Sequence, residues 1–487
     1  MGPGRRRILM ISSEVESLAR TGGLGDAVEA LSRALVARGS DVLIATPRYG
    51  VTRVPPEARW WPTHVSAPLG VGRTRELRVL EARLGAQGPR ACMLADAQLF
   101  DRDGIYGDRF GGFGDNALRF AVLSSAALSV AERAWDGLPD VVHAHDWHAT
   151  LAVLYARRTR GPAWARVPTV LTIHNLAYQG SFPEAELEPL GIARSAWDEG
   201  SARHDGRINL MKLGIELADR VTTVSPTYAR EIQQPAHGHG LDAHVRWHAR
   251  KLVGIVNGID TESFDPRTDG AIARRYSEAD ALEGKRACRR ALCAELGLDD
   301  GPSGGPLFAS VSRLDWLKGI DVFLAILPAL VDRGARVALV GTGDARLEEA
   351  LRAAARRWPS RVASRVAFDP LLARRVFAGA DFVVVPSREE PCGLTQMYAM
   401  RYGAIPVVSP VGGLRDTVQP LDAAHSAGTG LAAAAVDPAH FLIACEDALG
   451  VWRDPIAWPG LVARAMLRDS SWSISAGRYE DLYEALR

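Results

Sequence analysis

The chain has 487 residues, 47% of them hydrophobic, which is too long for one ordinary core and apolar enough for two. Its 58 Lys and Arg against 57 Asp and Glu leave no overall basic field to draw it onto nucleic acid or an acidic membrane, so any charge used in function is local. Five cysteines, an odd number without CxxC spacing, argue against a disulfide framework and a cysteine zinc site and fit a reducing cytoplasm.

The opening "MGPGRRRILMISSE" carries a basic cluster but only a four-residue apolar run, too short for a signal segment or a membrane span. It reads as the first strand. Further short apolar runs alternate with amphipathic stretches: "ILMIS" (8–12), "DVLIAT" (41–46), "DVVHAH" (140–145), "PTVLTIHN" (168–175) and "RVTTVS" (220–225). A second set follows in "LFASVSR" (307–313), "RVALVG" (336–341), "RVAFD" (365–369), "DFVVVPS" (381–387) and "AIPVVSP" (404–410). Continuous apolar strands separated by helices imply parallel sheets covered on both faces. The sets part near "KLVGIVNGID" (251–260), and "DDGPSGGP" (299–306) reads as a loop before the second sheet. The fold class is therefore α/β, with two doubly wound domains across a cleft and ligands at the carboxyl ends of the strands.

Four motifs follow predicted strands. In "SSEVESLARTGGLGDAVEALSRALVARG" (12–39), Gly22, Gly23 and Gly25 let backbone approach a ligand, and a helix starting near Asp26 points its positive end there. This is not the G-x-G-x-x-G fingerprint, and a tight connection would use the same glycines. In "HAHDWH" (143–148) the histidines invite a metal reading, but Asp146 stands one place too early for H-x-H-x-D-H and no second ligand cluster follows. Asp146 and His148 are read instead as lining the cleft, with His143 packed in its strand; His174, at the next strand end, is a lone histidine of the kind that is often structural. In "VSRLDWLKGIDVF" (311–323), Arg313 and Lys318 flank a helix start and suit a diphosphate, although solvated surface cations would look the same. In "SREEPCGLTQMYAMRYGAIPVVSP" (387–410), Glu389 and Glu390 precede a helix expected from Pro391 to about Tyr402, ended by Gly403.

These segments, with "TVSPTYAREI", "GIVNGID", "EPCGLTQ" and "GGLRDTV", resemble in content and order the bacterial glycogen synthases, the ADP-glucose-dependent retaining glucosyltransferase family that includes the plant starch synthases. The resemblance covers nearly the whole chain. It implies the GT-B architecture of two Rossmann-like domains: an N-terminal one over 1–258, a donor-nucleotide domain over 259–465, and a final helix within 466–487 that crosses back to the first. It implies no metal and no cofactor. Arg313 and Lys318 would hold the donor diphosphate, with the Gly22 and Gly23 loop closing on it. Arg20 stands where the family usually has Lys. Asp146 and His174 would lie beside the transferred glucose and Glu390 beneath it, and Asn257, Cys392, Gly393, Leu394 and Thr395 fall in the family's substrate-binding segments. Glu389 replaces a usual aromatic and reads as a surface variant. Tyr398 stands eight residues after Glu390, where the wider superfamily often has a second Glu, so ribose is recognised elsewhere. The implied partners are ADP-glucose and an α-1,4-glucan, with no nucleic acid or membrane, in the cytoplasm. UDP-glucose or another acceptor, a metal-dependent hydrolase built on "HAHDWH", and a non-catalytic glucan-binding relative are the alternatives.

Overall fold

The computed structural model describes residues 5–300 and 305–486. Residues 1–4 of the basic opening segment and 301–304 of the expected Gly/Pro-rich loop lie outside the described residues. Two compact units form, one from 5–258 with 472–486 and the other from Ile259–Ser471.

The sheet of the first unit is built on the apolar strands β1 (Arg7–Ile11), β2 (Asp41–Pro47), β3 (Arg59–Trp60), β4 (Val65–Pro68), β5 (Thr74–Arg83), β6 (Arg90–Ala95), β7 (Val141–His145), β8 (Thr169–Ile173), β9 (Arg220–Thr223) and β10 (Leu252–Gly254). Their order is β10-β9-β8-β7-β1-β2-β6-β5-β3, with β4 on β5. Met10 pairs in parallel with Ile44 on one side and His143 on the other, and Ile8 to Ile11 are fully buried, as a strand covered on both faces requires. The antiparallel extension of β3, β4 and β5 was not expected. Along β5 the alternation in "TRELRVLEAR" does not persist, since Leu77 and Val79 are buried on one face and Leu80 and Ala82 on the other. From β1 the chain winds outward through β2 to β6, then returns to the other side of β1 for β7 to β10. The direction reverses between β1 and β7, so their carboxyl ends leave a crevice.

Helix Trp472–Glu484 closes this unit. Its Trp472, Ala476, Tyr479, Leu482 and Tyr483 share one core with Leu31 and Leu35 of helix Gly23–Ala37. Glu480 pairs with Arg38 at 2.6 Å, and the Tyr483 hydroxyl meets His143 Nδ1 at 2.7 Å. Residues 466–471 stay with the second unit, where helix Ala457–Leu467 is packed.

The second unit is an all-parallel sheet of β11 (Leu307–Val311), β12 (Arg336–Val340), β13 (Val362–Arg365), β14 (Phe382–Val385), β15 (Ile405–Val408) and β16 (Leu431–Ala432), in the order β13-β12-β11-β14-β15-β16. Its reversal lies between β11 and β14, so the loops after those strands share a crevice. Two expectations need correction. The strand placed at 365–369 lies at Val362–Arg365, because Asp369 accepts from Leu372 N–H and caps the helix Pro370–Gly379. The helix expected at Pro391 begins only at Thr395 and ends at Arg401. Gly393, at φ +72°, turns the chain through a conformation that cannot propagate a helix. Among the described residues no helix is long and apolar enough to cross a membrane.

Candidate active site

At the reversal point of the first sheet, the Gly-rich loop after β1 is organised by Glu14, a buried carboxylate not singled out from the sequence. Glu14 accepts the backbone N–H of Thr21 at 2.6 Å and of Gly22 at 3.0 Å, and the Tyr106 hydroxyl at 2.6 Å. This corrects the simple anion-cradle reading: a carboxylate of the protein already occupies the Gly22 donor. The helix starts at Gly23, three residues before Asp26, and the side chain of Asp26 is paired with Arg20. Gly22 and Gly23 are exposed, and an added Cβ at either meets nothing within 4 Å, so neither is demanded by packing. Gly25 differs, since its Cβ would press on Glu16 N and Arg20 Cβ at 3.1 Å.

Asp146 leaves β7 at φ +55°, an uncommon conformation for a residue with a Cβ, and its Oδ1 accepts the backbone N–H of His174 at 2.8 Å. That bond ties the ends of β7 and β8 together. Burial pushes the Asp146 carboxyl up to about 7, against the opposing pull of the His174 and Asn175 N–H groups, with Glu14 adding to the rise. His174 Nε2 meets His145 Nδ1 at 3.1 Å, and desolvation holds His174 down at about 3, so both imidazoles are neutral at pH 7. His143 is turned into the core, bonded to Tyr483 and Thr172, while His148 stacks on Tyr106 at 4.7 Å. The "HAHDWH" histidines therefore point to different partners and form no common ligand set. Asn257 is buried beyond β10.

At the reversal point of the second sheet, the loops after β11 and β14 enclose a pocket of about 170 Å³ lined by Arg313, Lys318, Ser387, Glu390, Gly393, Leu394 and Thr395, among others. Lys318 Nζ lies 2.6 Å from Glu390 Oε2, and Ser387 Oγ donates to the same oxygen at 3.0 Å. Glu390 is thus an ion-pair partner and not a helix cap. Arg313 is 70% exposed in its side chain and, among the described residues, its ion-pair partner is Asp315, at 3.5 Å, so it is available to a ligand at little cost. Cys392 is buried and does not line the pocket; its carbonyl accepts from Gln396 Nε2 at 3.2 Å, which also bonds the Gly393 carbonyl at 2.8 Å and the Thr417 hydroxyl at 2.8 Å. Glu389 is half-buried beside the pocket.

The two loops are fixed to each other by Arg388, another residue not anticipated. Its guanidinium forms a fork with Asp321 at 2.7 and 2.6 Å, donates to the Trp316 carbonyl at 2.8 Å and stacks 3.4 Å from the Trp316 ring centre. The backbone between them is equally tight: Arg388 N–H donates to Leu317 O at 2.7 Å, and Gly319, at φ +63°, would drive a Cβ to 1.9 Å from Pro386 O. Lys318 is delivered to Glu390 by this clasp. The available signal was Arg388 itself, a cation one residue from the carboxylate pair.

Residues 7–247 match the family described as the starch synthase catalytic domain, and 305–450 match the glycosyl transferases group 1 family. A glycogen synthase of Anaeromyxobacter sp. (strain Fw109-5) is 46% identical, covering 98% of this chain and 99% of its own. One from Myxococcus xanthus (strain DK1622) is 43% identical over the same shares. Among solved structures, the catalytic domain of starch synthase IV from Arabidopsis thaliana, bound to ADP and acarbose, superposes with a TM-score of 0.88 at 29% identity and 99% coverage of both chains. A sucrose-phosphate synthase from Thermosynechococcus elongatus shares the fold at a TM-score of 0.62 and 21% identity, again over 99% of both.

Proposed function

This chain belongs to the glycogen and starch synthase family of GT-B glucosyltransferases, and on that premise we propose that it transfers glucose from ADP-glucose to the nonreducing 4-hydroxyl of an α-1,4-glucan, with retention of configuration. The observation that carries this reading is the Lys318–Glu390 pair in the pocket between the β11 and β14 loops, with Arg313 open beside it. Two cations at that edge suit a diphosphate, and the carboxylate suits a sugar whose anomeric carbon becomes positive as the bond to the diphosphate breaks. The acceptor oxygen bonds to that carbon on the face the leaving group departs from, and the acceptor proton passes to the departing phosphate oxygen.

In the second unit Arg313 and Lys318 are assigned to the diphosphate, Glu390 to the glucose, and Gly393, Leu394 and Thr395 to the rest of the donor. Cys392 supports them from behind through its carbonyl. In the first unit Asp146 and His174 are assigned to the sugar hydroxyls. His174 is neutral at pH 7, while the Asp146 carboxyl, with its pKa about 7, is present in both forms and can accept or donate. Arg20, Gly22, Gly23 and Asn257 complete that unit's share. No metal takes part in the transfer, and the five free, buried cysteines fit a cytoplasmic enzyme. The starch synthase bound to ADP supports the adenine donor. Initial rates with ADP-glucose and with UDP-glucose, glycogen being the acceptor in both, test the assignment: ADP-glucose is expected to be favoured in kcat/KM, and the opposite order overturns it.

A further inference from the structure

Far from the strand ends used above, Glu216 in the last turn of helix Leu210–Leu217 faces His244 and His248, four residues apart on and just after helix Asp242–Trp247. Residues four apart share a helix face, which brings both imidazoles to one carboxylate. His248 Nε2 is 2.9 Å and His244 Nε2 3.8 Å from Glu216 Oε2, and one donor atom of each residue lies within 4.8 Å of the others. A tetrahedral zinc ion with bonds of about 2.0–2.1 Å holds its donors about 3.3 Å apart, a separation these two distances bracket. We propose that Glu216, His244 and His248 form a divalent transition-metal site of the zinc class that fastens the segment 242–251 to helix Leu210–Leu217.

Two observations favour an ion over simple side-chain packing. Helix Asp242–Trp247 buries only Val245, and Trp247 is 83% exposed, so apolar contact holds the helix weakly. The nearby ammonium groups are engaged by backbone oxygens, Lys212 Nζ with Gly200 O at 2.7 Å and Arg203 O at 2.9 Å, and Lys251 Nζ with Glu216 O at 2.6 Å. His244 Nε2 also lies 3.1 Å from the Lys212 carbonyl, so the fourth position falls to that oxygen or to water. The cluster stands before β9 and β10, which begin at Arg220 and Leu252, hence at the amino edge of the sheet. Asp146 and His174 follow the carboxyl ends of β7 and β8, so the ion would be structural and take no part in glucosyl transfer.

The test is equilibrium dialysis of the EDTA-treated chain against ZnCl2, with the metal measured directly, alongside melting curves with and without zinc. Wild type should hold one equivalent that His244→Gln and His248→Gln each lose, while the variant of an exposed histidine elsewhere, His64→Gln, keeps it. Zinc should raise the melting temperature of wild type and leave that of His248→Gln unchanged. Gln at 248 can still donate to Glu216, and circular dichroism checks that the variants are folded; Co²⁺ in place of zinc should give the intense visible bands of a tetrahedral site. Absence of a bound equivalent in wild type, or the same stoichiometry in wild type and both glutamine variants, overturns the site and leaves the three side chains as hydrogen-bonded packing.

Discussion

Removing the charge of Glu390 leaves the Lys318 ammonium without its carboxylate and Ser387 with a weaker acceptor. Glu390→Gln should therefore lose stability, by up to about 3 kcal/mol for so shielded a pair, and turnover should fall by about 10² or more because the developing positive charge loses its partner. Glu389→Gln should match wild type in turnover; equal activity of the two variants would remove Glu390 from the sugar site. The two cations separate in a different way. Lys318→Ala strands a buried carboxylate and should destabilise, whereas Arg313→Ala removes a largely exposed side chain and should leave the melting temperature unchanged. Both should lower kcat/KM more than about tenfold if they grip one diphosphate. Gly22→Ala sharpens the reading of the loop: its backbone is extended and its Cβ has open space, so folding should be untouched. A raised KM for the donor then reports close ligand approach, and normal kinetics would reduce Gly22 to a connection.

At the scale of elements, the position of Lys318 depends on two short loops being held as one piece. Arg388→Ala removes the fork to Asp321 and the stack on Trp316 together, and should lower both the melting temperature and kcat/KM, the latter by about tenfold, although Arg388 does not line the pocket. Asp321→Asn should act in the same direction, and the double variant should cost less than the sum of the two, since they share one interaction. Additive losses would show that Arg388 acts by another route. Burial of Lys318 and Glu390 is only useful because Gly319 permits the close pass beside Pro386.

Across the whole molecule, the pH response is set by buried groups at the first sheet's core and edge. His143 and His174 sit at about 3 and His145 and His148 well below 6.5, so each binds a proton in the unfolded chain that the folded chain refuses. Their contribution is fully present above pH 6.5 and is lost as pH falls from there towards 3. Asp146 works in the opposite sense: with its folded value near 7, its protonated form favours the fold at low pH, and that advantage disappears as pH rises from about 4 to 7. Denaturant titrations should show wild type losing stability below pH 6.5, and Asp146→Asn gaining on wild type as pH rises from 4 to 7. A constant gap between the two across that range would contradict a buried, neutral Asp146. Turnover assayed well below the melting temperature of the EDTA-treated chain should survive EDTA, because among the described residues neither strand-end site carries a metal ligand set; activity lost to the chelator while circular dichroism shows the fold intact, and restored by a metal ion, would overturn that.

The α/β class, the parallel strands and the motifs placed after them were legible because local hydrophobic runs and Gly, Arg and Glu spacing survive in a linear pattern. The β3–β5 extension was not legible in that way, because the alternation of β5 breaks between Val79 and Leu80 and its antiparallel pairing leaves no linear mark. The partners of Glu390 could not be read at all: Lys318 lies seventy-two positions away and meets it only because β11 and β14 are neighbours at the reversal of the sheet. The helix expected at Pro391 failed for a similar reason, since Gly393 packs against Glu390 and Gln396 while the Glu390 carbonyl bonds Gly413. Glu14, Arg388 and Gln396 lie inside the quoted motifs, but nothing in the linear pattern marks the partners each one takes. The linear sequence determined most of the central parallel strands and which loops face their carboxyl edges, because those depend on neighbours in the chain. Which carboxylate takes which cation, which glycine is obligatory and which histidine is buried neutral depend on strand order and burial, and only the tertiary structure decided them.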